Sequence, residues 1–121
     1  MKTGIFKIAE QVDGYGFYGE ILQQCALNEN NLVQIEIPEH LSKWESGIAL
    51  GVAYFVEIMR KRMGITVRIM EIRYNEIDTK HILISYITFF ALCDAFLLTP
   101  TNAPCFSKET KSFNFPLRAS F

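Results

Sequence analysis

The chain has 121 residues, half of them hydrophobic, with ten Phe and a formal net charge of −1. That length suits one domain able to hide about two-thirds of its unfolded surface, and that composition excludes disorder. The near-zero charge excludes a global field that would gather nucleic acid, leaving only a local basic face to do so.

The N-terminal stretch "MKTGIFKIAEQ" has no long apolar core of the signal-peptide kind, and "IFKIAE", residues 5–10, reads as an optional short strand. "GYGFYGEI", residues 14–21, matches GxGxxG letter for letter. A dinucleotide loop needs a helix after the glycines, so that the helix N-terminus can hold phosphate. Here a strand follows, and a tight loop is the better local reading. In "FYGEILQQCAL", Phe17, Gly19, Ile21, Gln23 and Cys25 share one face and Tyr18, Glu20, Leu22 and Gln24 the other. Polar and small residues on both faces predict a sheet partly open to water. "NENN", residues 28–31, is a turn signal, and "LVQIEI", residues 32–37, a second strand. The short polar loop between them predicts an antiparallel hairpin of these two strands.

Pro38 ends that strand, and "SKWESGIALGVAYFVEIMRKRMG" reads as a helix. Ser42 and Glu45 form a capping-box pattern, and Trp44, Ile48, Val52, Phe55 and Met59 form a core stripe. Gly47 and Gly51 allow a close neighbour, Arg60, Lys61 and Arg62 complement the helix dipole, and Gly64 stops the helix. "ITVRIMEIRY", residues 65–74, is a third strand whose alternation falters near Met70, which predicts a bulge or twist. Asp78 or Thr79 is the N-cap expected for a second helix. The segment "ILISYITFFALCDAFLL", residues 82–98, is nearly all apolar, but Asp94, Lys80 and His81 bound it short of a membrane span. A core helix, with surplus apolar surface for an oligomer interface, is expected instead.

Beyond Leu98 periodicity is lost, so residues 99–121 read as a C-terminal tail, packed back, mobile or added as an edge strand, after an α+β domain over 1–98. The order β–β–α–β–α, with the optional first strand, predicts a two-layer α+β sandwich with both helices on one face.

Catalytic and metal chemistry is thin. Cys25, Cys93 and Cys105 are odd in number and form no CxxC pair, which excludes a disulfide framework and a zinc site. Cys25 and Cys93 sit in apolar runs, and Cys105 is the exposed thiol. With the N-terminus, this usage predicts a cytoplasmic protein. His40 and His81 have no ligand-spaced partners, Glu36 and Glu39 flank a strand exit, and Ser46 and Ser85 have no base in sequence reach. No catalytic residue, metal or cofactor is expected, nor any membrane partner.

The order of weak motifs carries more. A Gly-rich loop enters a strand through "GFYGEI"; "IP" at Ile37 and Pro38 closes another; "SGIALGV", residues 46–52, opens a helix; and "ITVRIMEIRY" runs into "YNEIDTKHILISYITFFALCDAF". In this order, over roughly residues 12–97, the chain resembles domain IV of elongation factor G and of related ribosome-protection GTPases. The resemblance implies a fold like the second domain of a small-subunit ribosomal protein, with a left-handed β-α-β crossover. It also implies that the Gly-rich loop and the turn before the second helix meet at a tip that contacts RNA in the ribosome. Carried over, that tip is Asp13, Gly14, Tyr15 and Gly16 with Tyr74, Asn75, Glu76, Ile77 and Asp78. Asn75 stands where the family has His, and Glu76 and Asp78 would repel phosphate without cations beside them. The sequence holds no GTP-binding motif, so the expectation is a non-enzymatic, stand-alone domain binding ribosome or structured RNA. Tyr15, Phe17 and Tyr18 are candidates to stack bases. The alternative is a homo-oligomeric interaction module, a homodimer through apolar surface, with no nucleic-acid role.

Overall fold

The structure is a computed structural model describing residues 1–59 and 64–121. Strands β1 (Lys2–Val12) and β2 (Tyr15–Asn28) form a long antiparallel hairpin. Asp13 (φ 51°) and Gly14 (φ 84°) connect them. Positive φ at both central residues makes this a type I′ connection, whose twist matches the strands, and Asp-Gly suits it. The optional first strand is therefore real and longer than residues 5–10. The "GYGFYGEI" stretch is one turn residue followed by strand.

The sheet order is β1-β2-β4-β3, with β4 spanning Gly64–Arg73 and β3 spanning Val33–Glu36. This corrects the expected hairpin of the second and third strands. β3 does not pair with β2; it lies parallel to β4, Val33 opposite Ile65 and Glu36 opposite Arg68. Parallel neighbours need a crossover, here a 3-10 turn (Glu39–Trp44) and helix α1 (Glu45–Met59). β2 takes the central place instead, antiparallel to β4.

The faltering alternation near Met70 is a bulge. Leu22 faces Glu71 and Gln23 faces Ile69, so Met70 is the extra residue on β4. Ile65, Val67 and Ile69 point inward before it and Ile72 after it, so the bulge resets which residues reach the core. On β2, Gly19, Ile21, Gln23 and Cys25 are buried, while Tyr18, Glu20, Leu22 and Gln24 keep partial exposure.

Helix α2 (His81–Ala95) lies against β1 and β2, and α1 packs beside α2. Ile48, Val52 and Phe55 join the same core cluster as Val67, Leu83 and Ile87. A Cβ on Gly51 would stand 2.6 Å from the Ser85 carbonyl oxygen, and one on Gly47 2.7 Å from that of His81. These two glycines let the helix backbones approach. Ser85 Oγ donates to the Gly47 carbonyl at 2.7 Å, satisfying a buried hydroxyl across the same seam.

The helix starts differ from the sequence reading. The capping box does not form, since Ser42 lies inside the 3-10 turn and α1 begins at Glu45. Lys80, not Asp78 or Thr79, precedes α2, and it makes no side-chain cap. Gly64 is the first residue of β4, and the stretch between Met59 and Gly64, including the Arg60, Lys61, Arg62 run, lies outside the described residues.

Past α2 the chain forms a separate two-stranded ladder, β5 (Cys105–Ser107) and β6 (Ser112–Asn114), not a fifth strand of the main sheet. Aromatics of the ladder and of the chain after it pack on both helices and on β2. Phe113 meets Phe17 (6.3 Å) and Tyr86 (4.8 Å), Phe115 meets Tyr54 (5.1 Å), and Phe121 meets Phe55 (5.5 Å), by ring centroids. Among the described residues, no helix is long and apolar enough to cross a membrane.

Candidate functional site

The residues assigned to the tip come from two places and are knitted together. Asp13 and Gly14 form the hairpin turn, and Tyr15 and Gly16 open β2. Tyr74 follows β4, and Asn75, Glu76, Ile77 and Asp78 form the turn before α2.

Asn75 organises the second loop. Its Oδ1 accepts from the N–H groups of Ile77 (3.1 Å) and Asp78 (2.6 Å), and its Nδ2 donates to Asp78 Oδ2 at 3.2 Å. An Asn side chain that caps the N–H two residues on is an Asx turn. Asn75 thus shapes the loop itself.

Thr79 then ties the loops. Its hydroxyl donates to the Tyr18 carbonyl at 2.6 Å and accepts from the Asn75 N–H at 3.1 Å. The Tyr18 N–H donates to the Asp78 carbonyl at 3.3 Å. A Cβ on Gly16 would sit 2.5 Å from the Asp78 carboxylate, so only glycine lets that side chain lie against β2. Beside this latch a hollow of about 310 Å³ is lined by Glu10, Gln11, Phe17, Tyr18, Asn75 and Asp78, among others.

Lysines from elsewhere answer two of the three tip acids, Glu76 and Asp13. Lys43 Nζ lies 2.7 Å from Glu76 Oε1. It also sits 5.0 Å from the Trp44 ring centroid and 4.8 Å from that of Tyr74, within cation–π range. The hydrogen bond to Glu76 is the largest influence raising the Lys43 pKa, which keeps the ammonium charged. Lys111, from the tail, lies 3.3 Å from Asp13 Oδ2 and 5.3 Å from the Tyr15 ring centroid. Lys108 pairs with Glu10 at 3.3 Å. Tyr15 (62% exposed) and Ile77 (82% exposed) lie at the outer surface. Phe17 is not available for stacking; it packs on Phe106 at 4.7 Å.

Sequence reasoning missed Lys43, Lys108 and Lys111. Lys43 was hidden in an expected helix start, and the tail lysines lie where periodicity gives no signal. It also missed that Ser46 Oγ is 3.2 Å from His81 Nδ1, a contact made by the adjacent starts of α1 and α2. Both residues are exposed, and His81 also packs on Trp44 at 5.1 Å between ring centroids. Among the described residues, no group of three His, Cys, Asp or Glu is placed to hold a metal ion.

No protein-family profile matches the chain, and no curated protein matches it. A solved structure does, a crystal structure of a protein from Thermus thermophilus, with a TM-score of 0.62 at 18% identity. The match covers 74% of this chain and 14% of that one, so the chain spans a small part of the length of the protein it resembles. At that identity the likeness is one of fold, and what it shows is a two-layer α+β sandwich shared with part of a larger protein.

Proposed function

We propose that this chain is a non-catalytic binding domain that presents its two-loop tip to structured RNA, the ribosome in the first instance. The observation that carries the reading is the latch between Gly16, Tyr18, Asn75, Asp78 and Thr79, which joins the loops into one preformed surface. A preformed surface loses little ordering entropy on binding. The resemblance to domain IV of elongation factor G supports RNA as the partner, and the fold likeness is consistent with it. Two of the three tip acids have cations beside them, Lys43 at Glu76 and Lys111 at Asp13, and the Asp78 carboxylate is held by Asn75 Nδ2. Tyr15, with Lys111 over its ring, is the base-stacking candidate. Co-sedimentation with ribosomes at several salt concentrations tests the reading. Pelleting at low salt, lost in Tyr15→Ala, is the expected result, and no pelleting at any salt rejects it.

A second reading rests on the opposite end of the sheet. Met1, Leu27, Leu32, Val33 and Leu97 are exposed there or at adjoining termini of strands and helix, Leu97 at 87%. Exposed apolar surface of this kind marks protein contacts. Light scattering at micromolar concentration separates the two, since a strict monomer counts against self-association.

A further inference from the structure

Four residues near the hairpin turn share the face of the sheet that points away from the helices. Ala9 stands opposite Tyr18, and Gln11 opposite Gly16. The neighbouring pair, Ile8 and Gly19, is buried, with Gly19 against Leu83 and Ile87 of α2. Alternation therefore turns the four outward. The Asp78 carboxylate lies on this face too, where a Cβ on Gly16 would stand 2.5 Å from it. Small residues at positions 9 and 16 leave space between the bulkier Gln11, Tyr18 and Asp78. That space belongs to the hollow of about 310 Å³ beside the latch, at the lower limit of ligand clefts.

Charges around the hollow cancel except at one place. Glu10, at its edge, pairs with Lys108 at 3.3 Å, and Asp13 in the turn pairs with Lys111 at 3.3 Å. Farther along the same face Lys7 stands opposite Glu20. Asp78 pairs with no cation among the described residues. Its Oδ2 accepts from Asn75 Nδ2, and its Oδ1 takes no hydrogen bond from the described residues. Each carboxylate oxygen can accept two bonds, so both keep capacity. A carboxylate fixed in this way suits a ligand with two parallel N–H donors.

We propose that this hollow takes an unpaired guanine base of single-stranded RNA. The assignment rests on RNA being the partner of the tip, and it names the base read there. On its pairing edge guanine presents two adjacent donors, N1–H and N2–H, which match the two oxygens of a carboxylate. Adenine and cytosine place a ring acceptor beside their amino group, which a carboxylate repels. Uracil flanks its one N–H with carbonyls. Guanine alone therefore pairs with Asp78 through two bonds. The Gln11 amide donates to guanine O6, and Tyr18 gives the base an aromatic wall. Sequence-specific RNA recognition commonly reads an unstacked base by this edge.

The test measures fluorescein-labelled RNA heptamers by anisotropy on the full chain at low salt. They are uridine heptamers whose central nucleotide is guanosine, adenosine, cytidine or uridine. The guanosine heptamer should bind roughly tenfold tighter than the other three. Inosine at the centre lacks the N2 amino group, leaves the protein untouched, and should lose most of that gain. Asp78→Asn keeps the size of the side chain and should abolish the preference with little change in melting temperature. The guanine assignment is overturned if the four heptamers bind alike, if none binds, or if inosine binds as tightly as guanosine. Tighter binding of a glycine heptapeptide with one central arginine also overturns it, because the parallel donors are then a protein's. Ribosome co-sedimentation separates the two possible failures. Pelleting without a guanine preference sinks the assignment alone, and no pelleting at any salt sinks the RNA reading as well.

Discussion

Gly16 and Gly4 both lie against other elements, but what they touch decides what a methyl group there would do. At Gly16 the obstacle is the Asp78 carboxylate, the end of a side chain that can swing away. Gly16→Ala should therefore cost about 1 kcal/mol, release the latch, and reduce ribosome co-sedimentation more than it lowers the melting temperature. At Gly4 the obstacle is the backbone carbonyl of Ala91, which α2 cannot withdraw. Gly4→Ala should cost roughly 3 kcal/mol, the upper range for overpacking, read by urea denaturation. The cysteines separate by burial in the same way. Burial pushes Cys25 up to about 11 and Cys93 up to about 12, while Cys105 is exposed. A thiol reagent at pH 8 should modify Cys105 in the native protein and the other two only after unfolding. The raised values also fix a sign for stability. Unfolded thiols ionise near pH 9 and the buried ones do not, so stability from these groups is intact below that pH. It should fall as pH rises from about 9 through 11 to 12, seen as a falling urea midpoint.

Between elements, the α1–α2 seam is the clearest case of tertiary packing overriding local preference. Alanine at Gly51 would favour the isolated helix by about 1 kcal/mol. Here it would meet the Ser85 carbonyl oxygen and Thr88 Cβ, so Gly51→Ala should destabilise by about 2 kcal/mol. The glycine spacing made this seam legible in the sequence. So did the faces of β2, because alternation reports burial directly, and so did Met70, where alternation broke. The partner of β3 was not legible. Nearness along the chain and a polar turn favour a hairpin, but the central place beside β4 belongs to β2, whose 14 residues outmatch the four of β3. The tip residues were placed together only through the resemblance. Their fastening through Thr79 was missed because Thr in that position also suits an N-cap. The tail was opaque because its order comes from aromatic contacts with distant elements and not from any local period. Phe113 touches Phe17, Tyr86 and Phe106. Phe113→Ala should cost about 2 kcal/mol, below the fully buried range because the ring is only partly buried, and calorimetric melting would report it.

For the molecule as a whole, charge balance governs how it would meet RNA. Lys43 and Lys111 are already paired with Glu76 and Asp13, and Asp78 carries a third negative charge, so few phosphates can be neutralised. If those two lysines make the phosphate contacts, log K against log salt should have a slope of roughly −1.4, at about 0.7 per contact on single strands. A much steeper slope would place the contact elsewhere. The Asp-Gly turn that builds the tip has a further consequence, in time rather than in space. It joins neighbours in sequence through an unstrained two-residue connection, and hairpins of this kind close in about 1–10 μs. The parallel β3–β4 pair must first enclose the whole α1 crossover, and such distant pairings close late. The β1–β2 hairpin is thus the natural folding nucleus. Gly14→Ala, at φ 84°, should slow refolding while leaving the unfolding rate nearly unchanged.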